Sequence, residues 1–182
     1  MTFIKKQTAS SSATISFVDG TSDVVLDDTY KEYLFTFNNI HPETTDVEFQ
    51  FQGNAAGGSG YNETITSTFF RSFHSEAGGS DYGLGYLTNN DQAQGTAFQN
   101  LTQDLGNGND ESVSGYLHLF NPSSTTFVKH FIATTNYVYL NDFTVNPFIA
   151  GYFNTTSAID EIQFKMDSGD IDAGDICLYG IA

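Results

Sequence analysis

The chain has 182 residues, with 22 Asp and Glu against 6 Lys and Arg and a formal charge of −16. That length suits one domain with a substantial core, and that charge repels phosphate backbones and anionic lipid, which argues against nucleic acid and membrane surfaces as partners. Its 17 Phe and 10 Tyr, with no Trp, sit among many Thr, Ser, Asn and Gly. Rings and β-branched side chains fit a pleated surface, and Gly and Asn supply turns, so many short strands are expected.

In chain order, Met1-Thr-Phe-Ile-Lys-Lys-Gln7 lacks the apolar stretch of a signal peptide, and synthesis in a cytoplasm without a cleaved signal is expected. Ala13 to Val18 alternates, with Ile15 and Phe17 on one face. Tyr33, Phe35 and Phe37 share one side of a second strand, and Val47, Phe49 and Phe51 share one side of a third. The turn-like His41-Pro-Glu-Thr-Thr-Asp46 between them predicts that these two strands pair as an antiparallel hairpin. Glu63 to His74 reads as a strand, and Ser75 to Asp81 as a loop.

Asp91 to Leu105 carries the one helix-like spacing, with Ala97, Phe98, Leu101 and Leu105 near one face; Gly95 limits it to a short helix at most. Ser112 to Phe120 and Thr126 to Thr134 flank Asn121-Pro-Ser-Ser124, a second hairpin signal. Phe143 to Phe153, Ile159 to Met166 and Ile176 to Ile181 complete roughly eight or nine strands, the spacing of a sandwich or barrel. The expected fold is all-β, a jelly-roll-like antiparallel β-sandwich over residues 1–182 as a single domain.

The usual catalytic signatures (G-x-S-x-G, H-E-x-x-H, the P-loop, the dinucleotide fingerprint) are missing, so no catalytic residue is assigned and the chain is read as a non-enzyme. Gly57-Gly-Ser-Gly60 reads as a flexible loop. The single cysteine, Cys177, lies in an apolar run and reads as a small buried hydrophobe. His118 and His130, on the two arms of the second hairpin, read as cross-strand neighbours on an exposed face, with no third ligand for a metal. Asp19, Asp23, Asp27 and Asp28 surround an early loop, and Asp167, Asp170, Asp172 and Asp175 a late one. Calcium suits such loops, but solvated turns are favoured; no cofactor and no metal site is assigned. A glycosidase pair of carboxylates ranks last among the readings. Sequons begin at Asn62, Asn100 and Asn154, matches that an Asn/Thr-rich chain makes by chance.

Tyr82, Tyr86, Tyr137, Tyr139 and Tyr152 fall in or beside loops rich in Gly and Asn, the residue types that build adaptable binding surfaces. Tyr82, Tyr86, Tyr137 and Tyr139 are taken as the binding candidates, with sugar rings as the ligand. The competing reading is that these rings finish the core or an oligomer interface.

Tyr33-Leu-Phe-Thr-Phe-Asn-Asn-Ile-His-Pro42, Val47-Glu-Phe-Gln-Phe-Gln-Gly53 and Tyr152 to Met166 resemble segments of virion-associated β-sandwich structural proteins of marine tailed bacteriophages, notably cyanophages. The ending Ser168-Gly-Asp-Ile-Asp-Ala-Gly-Asp-Ile-Cys-Leu-Tyr-Gly-Ile181 resembles the closing strands of many such domains. The resemblance implies a virion location and a structural role in a tail fibre or receptor-binding appendage, with capsid (head) decoration as the alternative. It carries no catalytic residues over. The partners expected are copies of the chain itself in a homo-oligomer, a trimer, together with other virion proteins and a host-surface glycan. A carbohydrate-binding lectin domain is the reading from a different class.

Overall fold

Period-two alternation runs through nearly the whole chain, and it sorts side chains onto the two faces of extended strands. A computed structural model describes residues 1–182. It contains β1 (Thr2–Ser12), β2 (Ile15–Val18), β3 (Glu32–Pro42), β4 (Phe49–Ala55), β5 (Ile65–Ser75), β6 (Tyr82–Tyr86) and β7 (Ala93–Gly95). These are followed by β8 (Gln99–Asn100), β9 (Val113–Phe120), β10 (Lys129–Tyr139), β11 (Phe143–Phe153), β12 (Ile159–Met166) and β13 (Ile171–Ile181). There is no helix, and strands make up 58% of the chain.

The strands form two antiparallel sheets, a β-sandwich as expected. The larger has nine strands in the order β1-β13-β3-β9-β10-β11-β5-β6, with β7 also on β5. The smaller is β2-β12-β4-β8. Between them lies a core of 32 buried residues. Phe164 on β12 is at its centre, with the rings of Phe17, Phe35, Phe37, Phe49 and Phe51 at 5.3–6.4 Å and mostly edge-on. Both sheets contribute to this ring cluster, so the edge-to-face contacts of Phe35 and Phe37 with Phe164 also lock one sheet over the other.

The inward positions read from alternation are correct, but the first expected hairpin is not. β3 pairs with β13 and β9 in the large sheet, whereas β4 pairs with β12 and β8 in the small one. His41 to Asp46 is therefore a crossing between layers. Both strands bury a full aromatic face, and facing sheets satisfy that better than neighbouring strands of one sheet. A bulge bends β3 just before this crossing: Asn39 is left-handed (φ 51°), and the register slips between Phe37 and Ile40. Gly174 on β13 (φ 118°) packs against it so closely that a Cβ would fall 2.5 Å from the Asn39 carbonyl oxygen. Only glycine fits there.

Residues 91–105 do not form the short helix that their spacing permits. Buried amides hold them extended instead. Gln52 donates from Nε2 to the Glu63 and Ala97 carbonyls (3.0 and 2.9 Å), and Gln99 donates to the Asn90 carbonyl (2.8 Å) while its Oε1 accepts from the Ser67 hydroxyl (2.6 Å). Thr102 accepts from the Phe49 amide, and Thr135 donates to the Leu101 carbonyl, both at 2.8 Å. The bonds of Gln99, Thr102 and Thr135 are sealed from water, where leaving either partner unmade costs about 1–3 kcal/mol, more than the weak helix preference of this segment.

Lys129 is also sealed. Its Nζ donates to the Phe127 and Thr155 carbonyls at 3.0 and 3.2 Å. Burial pulls its pKa below the ordinary lysine value, and the Glu63 carboxylate opposes that pull.

Candidate functional site

Residues directly opposite in an antiparallel pair share a face, so the register maps the outer surface of the large sheet. One rung runs Tyr86, Phe70, Phe148, Thr134, Tyr116, Thr36, Cys177 and Lys6 across the strands from β6 to β1. A neighbouring rung runs Thr68, Ala150, Ile132 and His118. Leu84 and Tyr82 lie opposite Ser72 and His74 on the same side. The rings are ordered by stacking: Phe70 on Phe148 at 5.2 Å and 12°, His74 on Tyr82 at 5.6 Å and 7°.

Seven of the ten exposed large apolar side chains of the molecule are on this one face: Phe70, Tyr82, Leu84, Tyr86, Tyr116, Ile132 and Phe148. Scattered exposed apolar groups are ordinary, but a contiguous patch marks an interaction surface. The outward positions of β5, β9, β10 and β11 include no Asp, Glu, Lys or Arg, although the chain carries 22 acidic residues. Its polar groups are Ser, Thr, Asn and three histidines. His118 reaches Glu32 at the rim (Nδ1 to Oε2, 3.9 Å), and His130 lies against the Tyr152 ring at 5.8 Å. The two histidines share the face as expected, but His118 is opposite Ile132 and not opposite His130.

The candidate tyrosines separate by strand parity. Tyr82 and Tyr86 stand on the outer face, and the Tyr86 hydroxyl donates to the Asp91 carboxylate, which raises its pKa. Tyr137 faces inward and is 1% exposed; its hydroxyl accepts the Gln103 amide at 2.9 Å. It is a core residue, unlike the surface position that its place among the binding candidates implied. Burial raises its pKa well above the ordinary tyrosine value. Tyr139 lies between these extremes, in the wall of a cleft of about 290 Å³ with Arg71, Phe73, Asp81, Asn141 and Phe143.

That cleft exists because the large sheet overhangs the small one. The inward side chains at the ends of β5, β10 and β11 have no partner layer above them, and Leu105 covers only as far as the backbone of Tyr139. Arg71 lies across the overhang with its guanidinium 5.3 Å from the Phe73 ring and 5.8 Å from the Tyr139 ring. The basic side chains within 4.0 Å of a carboxylate are Lys6, His41 and His118, so Arg71, the one arginine, has no carboxylate in contact.

The aspartates of the two acidic loops act as turn and rim acceptors. Asp19 accepts the Leu26 amide at 2.8 Å, Asp27 the Thr29 amide at 2.8 Å, and Asp167 the Glu48 amide at 2.9 Å. Asp175 pairs with Lys6 at 3.2 Å. Cys177 is half-buried on the outer face beside Lys6 and Thr36, not enclosed as expected.

The outer face itself was missed in the sequence, although a signal exists. Adjacent apolar pairs such as Phe69-Phe70, Phe131-Ile132 and Phe148-Ile149 put one ring or branched chain on each side of a strand, whereas a strand with one wet face alternates cleanly. Compared with protein-family models, with curated proteins and with solved structures, the chain matches none.

Proposed function

We propose that the chain is a non-enzymatic structural module of a bacteriophage virion, mounted on a tail fibre or receptor-binding appendage and assembled there by self-association. The observation that carries this reading is the uncharged, aromatic outer face of the nine-stranded sheet.

A second copy is the occupant that suits that face. Four central strands at about 4.8 Å spacing and roughly 30 Å of length present on the order of 600 Å² per copy, so two copies bury about 1,200 Å², the lower edge of a stable, specific interface. Any partner must also approach a chain of charge −16. Two copies meeting face to face bring their carboxylate-free surfaces together and leave the acidic loops at the rim, where salt screens them within about 8–10 Å. Burying aromatic rings without burying charge avoids the desolvation cost that acidic surfaces impose. The resemblance of both ends of the chain to marine phage virion proteins supplies the biological setting.

Quantitative mass spectrometry of purified phage particles tests the placement. The expected result is a few dozen copies per particle. Hundreds of copies would move the protein to the head, as a decoration protein, and its absence from particles would overturn the virion reading altogether.

A further inference from the structure

We propose that the overhang cleft around Arg71 binds a single uncharged sugar ring, the terminal hexose of a neutral glycan. The proposal concerns a different surface from the assembly face and stands or falls independently of it.

Arg71 is the starting point. A guanidinium carries five N–H donors in a rigid fork, and this one faces aromatic rings with no carboxylate to accept them. The rings hold its plane by cation–π contact, and the buried Tyr137 hydroxyl engages the guanidinium from the core side, which fixes its orientation and leaves further donors to the cleft. Two further planar hydrogen-bonding groups line the same cleft. Asp81 enters from the loop before β6, and Asn141 from the β10–β11 turn, where Asp142 is left-handed (φ 61°) and its amide closes on the Tyr139 carbonyl at 2.9 Å. The turn is therefore a fixed mount for Asn141. Together the cleft presents guanidinium donors, a two-oxygen acceptor, and an amide that does both, beside the rings of Tyr139, Phe73 and Phe143.

That combination fits a pyranose. Its ring hydroxyls each donate and accept in pairs that planar side chains match, and its C–H face packs on an aromatic ring. At about 290 Å³ the cleft holds one such ring and no longer chain. Charge selects among sugars. Asp81 shares the cleft, Asp104 acts on the neighbouring Tyr139 hydroxyl, and the whole chain stands at −16. A uronate or sialate would gain one contact with Arg71 and meet repulsion from everything else, so the neutral sugar is favoured.

The test is a nitrogen–proton NMR titration of the full chain with the methyl glycosides of glucose, galactose and mannose, and in parallel with glucuronate. At least one neutral glycoside is expected to bind with a dissociation constant of about 1 mM, shifting the Asn141 side-chain amide and the Arg71 Nε–H. Asn141→Ala, on an exposed turn, and Arg71→Met, which keeps the aliphatic stem, should each weaken binding at least about tenfold while their remaining spectra overlay the parent's. Failure of all three neutral glycosides to shift these signals well above millimolar concentration overturns the proposal. So does binding of glucuronate alone, or neutral binding that survives both substitutions. None of these outcomes changes with the oligomeric state, which is read separately by sedimentation.

Discussion

Phe148→Ala is the sharpest perturbation of the assembly face. Phe148 is 44% exposed at the centre of the sheet, which leaves roughly 90 Å² in water for a side chain that buries on the order of 200 Å² when covered. Seating that area against a second copy contributes about 2 kcal/mol at ~25 cal/mol/Å². In a two-fold contact each copy brings its own Phe148, so the substitution is felt twice and removes about 4 kcal/mol. At 1.4 kcal/mol per decade the association constant falls roughly a thousandfold. The isolated subunit loses only its stack on Phe70, on the order of 1 kcal/mol, and stays folded. Sedimentation velocity over a concentration series reads the association, and thermal unfolding of dilute protein reads the subunit. Wild-type protein that stays monomeric at high concentration would refute the reasoning, as would Phe148→Ala protein that associates as tightly as wild type.

Three further outcomes follow from the same geometry. Phe164→Ala removes the ring at the centre of the aromatic cluster and should cost about 3–5 kcal/mol in urea unfolding. Tyr137→Phe leaves the Gln103 amide without its acceptor and should cost about 1 kcal/mol in urea unfolding. Glu48 is partly buried beside Asp167, and desolvation, together with that neighbour, pushes its pKa up from 4.5 to about 7. The folded chain thus holds a proton that the unfolded chain releases, and stability should fall as pH rises from 4.5 to about 7, with the loss complete above that. Glu48→Gln should melt higher than wild type at pH 8 and lose this advantage by pH 4; equal melting temperatures at pH 8 would remove Glu48 as the cause.

Alternation made the strands legible wherever one face is buried. Phe143 to Phe153 and Ile159 to Met166 are β11 and β12 to the residue, and the hairpin of β9 and β10 pairs as its turn signal predicts. Partner choice was not legible for β3 and β4, because alternation says which side of a strand is apolar and nothing about which sheet covers it. β1 was overlooked for a related reason: as an edge strand it buries little beyond Ala9, so Lys5, Lys6 and the serines carry no pattern. The apparent helix at 91–105 shows a limit of spacing arguments. Leu101 and Leu105 are indeed buried, but the amides of Gln52 and Gln99, distant in sequence, decide the backbone. At the candidate sites, sequence composition picked out tyrosines near Gly-rich loops, and strand parity then divided them: Tyr82 and Tyr86 outward, Tyr137 inward. Arg71 drew no notice, since a lone arginine acquires meaning only from the rings beside it and the carboxylates it lacks.

The pairing of β1 with β13 ties together residues 169 apart in the case of Lys6 and Asp175. On the ribosome, β1 has no strand to join until β13 is made, because β13 is its one partner in the sheet. Until then β3, which lies inside the finished sheet, has a bare hydrogen-bonding edge where β13 will dock. Closure therefore awaits β13, and contacts of such long range form slowly. A chain that stops short presents an open strand edge to its neighbours. Translation through Ile181 is then the step that covers the inner edge of β3 and leaves β1 on the rim of the sheet.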